Sequence, residues 1–83
     1  MTKQEWKNSI FNYFRKNSGM TITEAKKQLI KEEEFGSSSV TVGNVTLMYT
    51  TNSNYAGGSK MGNGRGFYIS SSINLASRQE LKI

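Results

Sequence analysis

The period of the hydrophobic pattern changes at Gly36, and this change constrains the fold more than any other feature of the sequence. Before Gly36, apolar residues recur three and four positions apart, as at Trp6, Ile10 and Phe14, which is the spacing of an amphipathic helix. After it, apolar and polar residues alternate, as in the Val-Thr-Val stretch at 40–42, which is typical of a strand with one buried face. The pattern predicts an α+β fold, with two N-terminal helices packed on a three- to four-stranded antiparallel sheet.

Two capping boxes indicate where the helices begin. Thr2 with Glu5 precedes the first helix, and Thr21 with Glu24 precedes the second, because these side chains can satisfy the free backbone N–H groups of a first turn. We predict that the first helix runs from about residue 2 to 16 and that the second ends at Gly36, so that a helical hairpin occupies residues 2–35. The apolar stripe of the second helix consists of Ile22, Ala25, Leu29 and, at its end, Phe35, with Ile30 at its edge.

The antiparallel sheet is predicted over residues 38–83. Gly43-Asn44 separates two alternating stretches, which favours a two-residue type II′ hairpin with glycine in the first central position. The alternation resumes at Phe67, with Phe67 in the core and Tyr68 on the opposite face. The last residues fit either a short helix from residue 77 or a fourth strand ending at residue 83.

Residues 52–66 differ from the rest of the chain, since they hold five of its eight glycines. We predict a long flexible loop at the tip of the second hairpin, and loops of this length in small domains are often functional. Lys60 and Arg65 are its only charged residues, and Tyr55 and Met61 offer apolar contact area. The predicted nucleic-acid or partner-binding residues are Lys60, Arg65, Tyr55, Met61, Lys26, Lys27 and Arg78.

Composition limits the classes of function. The 83 residues carry a formal net charge of +5, and His, Cys and Asp are all absent. The missing residue types remove the commonest general base, the thiolate nucleophile and the usual zinc ligands. We therefore predict a single domain over residues 1–83 that is not an enzyme, with no catalytic residues, cofactor, metal or small-molecule substrate. The sequence has no signal-peptide pattern and no apolar run of membrane-spanning length, so we expect a cytoplasmic protein with no membrane partner.

Three hypotheses of function remain. An excess of basic over acidic residues favours binding to polyanions. The first hypothesis is therefore a small binding protein that contacts nucleic acid, or a complex that handles nucleic acid, through the Gly-rich loop. The second is a phage or mobile-element inhibitor of a host defence protein, in the manner of anti-CRISPR proteins, because the short, Lys-rich and Pro-free composition is typical of such chains. The third is a His-free endoribonuclease toxin, with Lys60, Arg65, Tyr68 and Arg78 as its candidate residues.

Overall fold

A computed structural model describes residues 2–55 and 64–83. The α+β fold is confirmed, with two helices packed on a four-stranded antiparallel sheet. In chain order the elements are α1 (Lys3–Ser18), α2 (Ile22–Glu32), β1 (Ser37–Val42), β2 (Val45–Thr50), β3 (Gly66–Ser71) and β4 (Gln79–Lys82).

Both predicted capping boxes form, with Thr2 and Thr21 as the N-caps. The first helix continues two residues further than predicted and ends at Gly19, whose φ of 74° is left-handed and whose N–H donates to the carbonyl of Arg15. Glycine adopts this conformation without steric cost. The N-terminal ends of both helices and the C-terminal end of α1 therefore follow from local sequence signals.

The predicted end of the second helix is wrong, because α2 ends at Glu32 and does not include Phe35. Instead Phe35 and Gly36 form a tight turn with φ values of 53° and 93°. Glu34 and Ser37 close this turn by exchanging two backbone hydrogen bonds of 3.1 Å. Two consecutive left-handed residues define a type I′ turn, which leads the chain into β1 and leaves Phe35 fully exposed.

The sheet is a simple meander in the order β1-β2-β3-β4, with every neighbouring pair antiparallel. Gly43 and Asn44 connect β1 to β2, and of the two only Gly43 has a positive φ, 58°, as a type II′ turn requires. The chain ends in the fourth strand rather than in a short helix, because β4 pairs with β3 from residue 79 to residue 82.

The two faces of the sheet differ in what covers them. Val45, Leu47 and Ile69 lie on the face that packs against both helices, and all three are fully buried. As predicted, Phe67 lies on this helix face and Tyr68 on the opposite one, since consecutive strand residues point to opposite sides. We call the side without helices the open face.

Residues 51–65 connect β2 to β3, and the flexible loop predicted over 52–66 stays a prediction. Residues 56–63 lie outside the described residues, and the predictions for Lys60 and Met61 fall there. We call the described ends of this connection, residues 52–55 and 64–65, the loop stem. Neither helix of the described residues is long and apolar enough to cross a bilayer.

Candidate interaction site at the loop end of the sheet

Four strand ends meet at one end of the sheet. β1 begins there beside the end of β2, since the N–H of Thr51 donates to the carbonyl of Gly36 at 2.9 Å. β3 begins and β4 ends at the same place, because Tyr68 pairs with Lys82. The loop stem also leaves the sheet there. We call this region the loop end, and it holds most of the predicted binding residues that the structure describes.

Contacts of Tyr55 and Tyr68 hold the loop stem against the open face. The rings of Tyr55 and Tyr68 pack with their centroids 4.7 Å apart and their planes inclined by 60°, a favourable arrangement for an aromatic pair. The Tyr68 hydroxyl donates to the carbonyl of Gly64, and the N–H of Gly64 donates to the carbonyl of Tyr55 at 2.8 Å. Tyr55 also donates its own hydroxyl to Glu80 at 2.7 Å. The stem is thus bonded to β3 and β4 on both sides.

Burial and the Glu80 carboxylate raise the pKa of both phenols. Burial, with the hydrogen bond to Glu80, raises the pKa of Tyr55 to about 12. Burial also raises the pKa of Tyr68, and the nearby charge of Glu80 acts in the same direction. Tyr68 is fully buried beneath the stem.

Positive side chains surround the first residues of β3. The ammonium of Lys26 lies 5.1 Å from the ring centroid of Phe67 on the helix face. The ammonium of Lys82 lies 5.9 Å from the ring centroid of Tyr68 on the open face. Arg65, which is exposed, immediately precedes β3 and its pair of aromatic residues. Cations over aromatic faces are held in place by the ring quadrupole, so Lys26 and Lys82 are held on opposite faces of β3, and the exposed Arg65 lies directly before this strand.

Lys82 was missed by sequence reasoning. The signal was present, since residues 80–83 alternate between polar and apolar side chains, but the same residues also fitted a short helix. Only the pairing of β4 with β3 places Lys82 beside Tyr68. A terminal strand of four residues is too short for its sequence pattern to separate the two possibilities.

The cationic surface continues into a shallow groove between α1 and α2. Phe11 and Arg15 line one wall and Ile22 and Lys26 the other. The ammonium of Lys7 lies 5.6 Å from the centroid of the Phe11 ring. Aromatic and cationic side chains therefore stand next to each other in the groove as well, and Lys26 belongs to both regions.

The structure does not bring Arg78 to the loop end. Arg78 precedes β4 and lies near the other end of the open face, where its guanidinium donates to the hydroxyls of Thr46 at 2.9 Å and Ser70 at 3.1 Å. Lys27 is exposed on the outer surface of α2, next to Lys31 and away from the groove. Of the seven predicted binding residues, Tyr55, Arg65 and Lys26 therefore lie together at the loop end.

No protein-family model, curated protein or solved structure matches this chain. Within residues 2–55 and 64–83, no three carboxylates come together in a way that could hold a metal ion.

Proposed function

We propose that the protein binds nucleic acid through the loop end of its sheet, with Lys26 and Arg65 as the main phosphate contacts. One observation carries the proposal. Lys26 and Lys82 lie over consecutive aromatic residues on opposite faces of β3, beside the exposed Arg65. Positive charge is concentrated where a predicted glycine-rich arm with a further cation, Lys60, leaves the sheet. Such an arm can follow a phosphate backbone and become ordered when it binds.

The same geometry indicates how nucleic acid is contacted. The Tyr68 ring is buried, and the Phe67 ring already packs against Tyr49 at a centroid distance of 4.8 Å and beneath Lys26. Neither ring offers an open face on which a base could stack, which is the usual platform for single-strand recognition. Contacts to phosphates then dominate, and these carry little sequence information. We expect steep salt dependence and weak sequence preference.

Fluorescence anisotropy with labelled DNA and RNA, single-stranded and duplex, tests the proposal across a salt series. The variant Lys26→Gln/Arg65→Gln removes two cations at the loop end. It is expected to weaken binding and, on duplex DNA, to reduce the salt slope by about 0.9 for each phosphate that the protein no longer neutralises. The matched control Lys3→Gln/Lys16→Gln removes the same charge from exposed positions on α1, and a much smaller effect is expected from it.

Equal weakening by the two variants would mean that net charge alone drives binding, and the proposed site would be wrong. No binding at low salt would overturn the proposed function itself. The inhibitor of a host defence protein would then become the leading hypothesis, and it predicts a stoichiometric complex with one protein and weaker salt dependence.

A further inference from the structure

β1 is an edge strand, and some of its backbone groups point away from the sheet. In the strand order, β1 has β2 on one side only. Residues that face each other across an antiparallel pair alternate between hydrogen-bonded and non-hydrogen-bonded pairs. The two-residue turn makes Val42 and Val45 a hydrogen-bonded pair. Val40 is then bonded to β2 in the same way, and the N–H and C=O groups of Ser39 and Thr41 point outward.

The turn before β1 agrees with this alternation and marks where the open edge begins. Ser37 uses its outward N–H and C=O groups to exchange two hydrogen bonds of 3.1 Å with Glu34. In the described part of the chain, no backbone group from outside the sheet bonds to Ser39 or Thr41. β1 also has no proline, charged side chain or bulge, which are devices that protect an edge from further pairing. From Ser39 onward, the edge is therefore open to another strand.

A small cavity lies beside this edge, between β1 and α2. Its volume is about 90 Å³, and Met20, Ala25, Leu29 and Val40 supply its apolar lining. In an added strand, the residue opposite Val40 points to the same face of the sheet, so its side chain is directed towards the cavity. An engineered cavity that holds benzene measures about 150 Å³. The smaller cavity therefore suits an aliphatic side chain such as valine and not an aromatic ring.

The rim of the cavity is acidic. Gln28 and Glu32 also line it, and the Gln28 amide donates to the Glu32 carboxylate at 2.7 Å. Glu34 lies beside Ser37, so an added strand that reaches the start of the open edge meets a second acidic residue there. A basic side chain at that end of the added strand complements both carboxylates.

We infer that β1 binds an extended peptide segment of a partner protein, which pairs antiparallel with Ser39 and Thr41. One small aliphatic side chain of the segment enters the cavity, and a basic residue two positions later lies near Glu32. Peptides that add to a sheet edge gain affinity from main-chain hydrogen bonds and specificity from pockets for alternate side chains. The edge of β1 and the cavity beside it provide both.

A second copy of this chain fits the same edge poorly. If two β1 strands paired Ser39 of each with Thr41 of the other, Gly43 of the second copy would lie opposite Ser37. Glu34 already occupies that position. β1 also has no basic side chain to place against the acidic rim. Charge and space therefore favour a different chain as the added strand.

Titration of the isotope-labelled protein with a short peptide, followed by NMR, tests the inference. The probe is acetyl-Ser-Thr-Val-Thr-Arg-amide, in which valine is placed opposite Val40 and arginine near Glu32. Because so short a strand buries little area, we expect a dissociation constant of roughly 1 mM. The largest shifts are expected at the amides of Ser39 and Thr41. Hydrogen exchange at these two amides should slow by about tenfold when the probe is present at about ten times its dissociation constant.

Matched probes separate strand addition from non-specific binding. Methylation of the backbone nitrogen of either probe threonine removes a hydrogen bond to β1 and should raise the dissociation constant by about tenfold or more. Methylation of the valine nitrogen, which points away from β1, is the control and should change it by less than about twofold. The probe acetyl-Arg-Thr-Val-Thr-Ser-amide has the same composition but its arginine lies at the far end, so it should bind more weakly. Glu32→Gln should reduce the difference between the two sequence orders.

Four results would overturn the inference. The first is the absence of shifts at Ser39 and Thr41 at a probe concentration of about ten times the expected dissociation constant. The second is equal weakening by the valine and threonine methylations, and the third is equal binding of the two sequence orders. The fourth is protection of both amides from exchange in the free protein that increases with protein concentration, because a second copy would then occupy the edge. No oligonucleotide is present, so the outcome is independent of the nucleic-acid proposal.

Discussion

Replacing Phe35 with asparagine is expected to stabilise the folded monomer. Phe35 occupies the first central position of a type I′ turn with φ at 53°, where asparagine and glycine are the residues usually found. Its side chain is fully exposed, so the substitution removes no buried apolar area. The change therefore acts almost entirely on the backbone, which makes its effect unusually simple to estimate.

The size of the stabilisation follows from what the left-handed conformation costs phenylalanine and what it costs asparagine. A left-handed conformation costs an ordinary residue about 1–2 kcal/mol, and asparagine tolerates it better because its short side chain can hydrogen-bond locally. We expect Phe35→Asn to raise the free energy of unfolding by about 1 kcal/mol, which corresponds to a rise in Tm of about 4–8 °C for a domain of this size. Phe35→Gly should stabilise the protein less, because glycine loses about 0.5–1 kcal/mol more backbone entropy on folding.

Urea unfolding measures these differences in the free energy of unfolding. Phe35→Ala is the matched control, because it removes the aromatic ring without relieving the left-handed backbone, and its stability should stay within about 0.5 kcal/mol of the unaltered protein. A clear loss of stability in both the alanine and the asparagine variants would refute the reasoning. It would show that the ring packs against the folded chain.

Three further predictions concern the loop stem and the first hairpin. The pKa of Tyr55 is raised to about 12, so the stability that its neutral hydroxyl contributes is fully present below pH 10 and is lost as the pH rises through 12. The difference in phenolate absorbance between the unaltered protein and the Tyr55→Phe variant measures this titration. Tyr68→Phe leaves the buried Gly64 carbonyl without its hydroxyl donor and should lower the free energy of unfolding by about 1–3 kcal/mol in urea, whereas an unchanged midpoint would show that water replaces the hydroxyl. Gly43→Ala places a methyl group against Tyr13 and puts alanine in a left-handed backbone conformation. It should lower the free energy of unfolding by more than about 1 kcal/mol, as measured by thermal unfolding, and Tyr13→Ala in the same chain should restore part of that loss.

Local sequence signals were sufficient to predict most of the fold. The capping residues Thr2 and Thr21 and the stop at Gly19 act within a few positions of themselves, so their effects can be read from the chain alone. The register of β1 with β2 follows from the two-residue turn at Gly43, because a tight turn fixes which residues face each other. These predictions required no knowledge of the tertiary structure.

The predictions that failed or were missed depend on contacts between distant parts of the chain. The spacing of Phe35 suits a helical stripe, but a tight turn was needed to bring the chain back beside β2, and this ended the helix three residues earlier. Tyr68 was placed correctly on the open face, yet its complete burial depends on Tyr55, which lies thirteen positions earlier in the sequence. Periodicity describes which face a residue occupies, but it does not describe what covers that face.

The distribution of charge matters more for binding than the net charge of +5. Lys26, Arg65 and Lys82 lie around the start of β3, whereas the carboxylates of residues 32–34 end α2 next to the edge strand β1. A polyanion is therefore attracted to one side of the loop end and repelled from the other, which orients its approach.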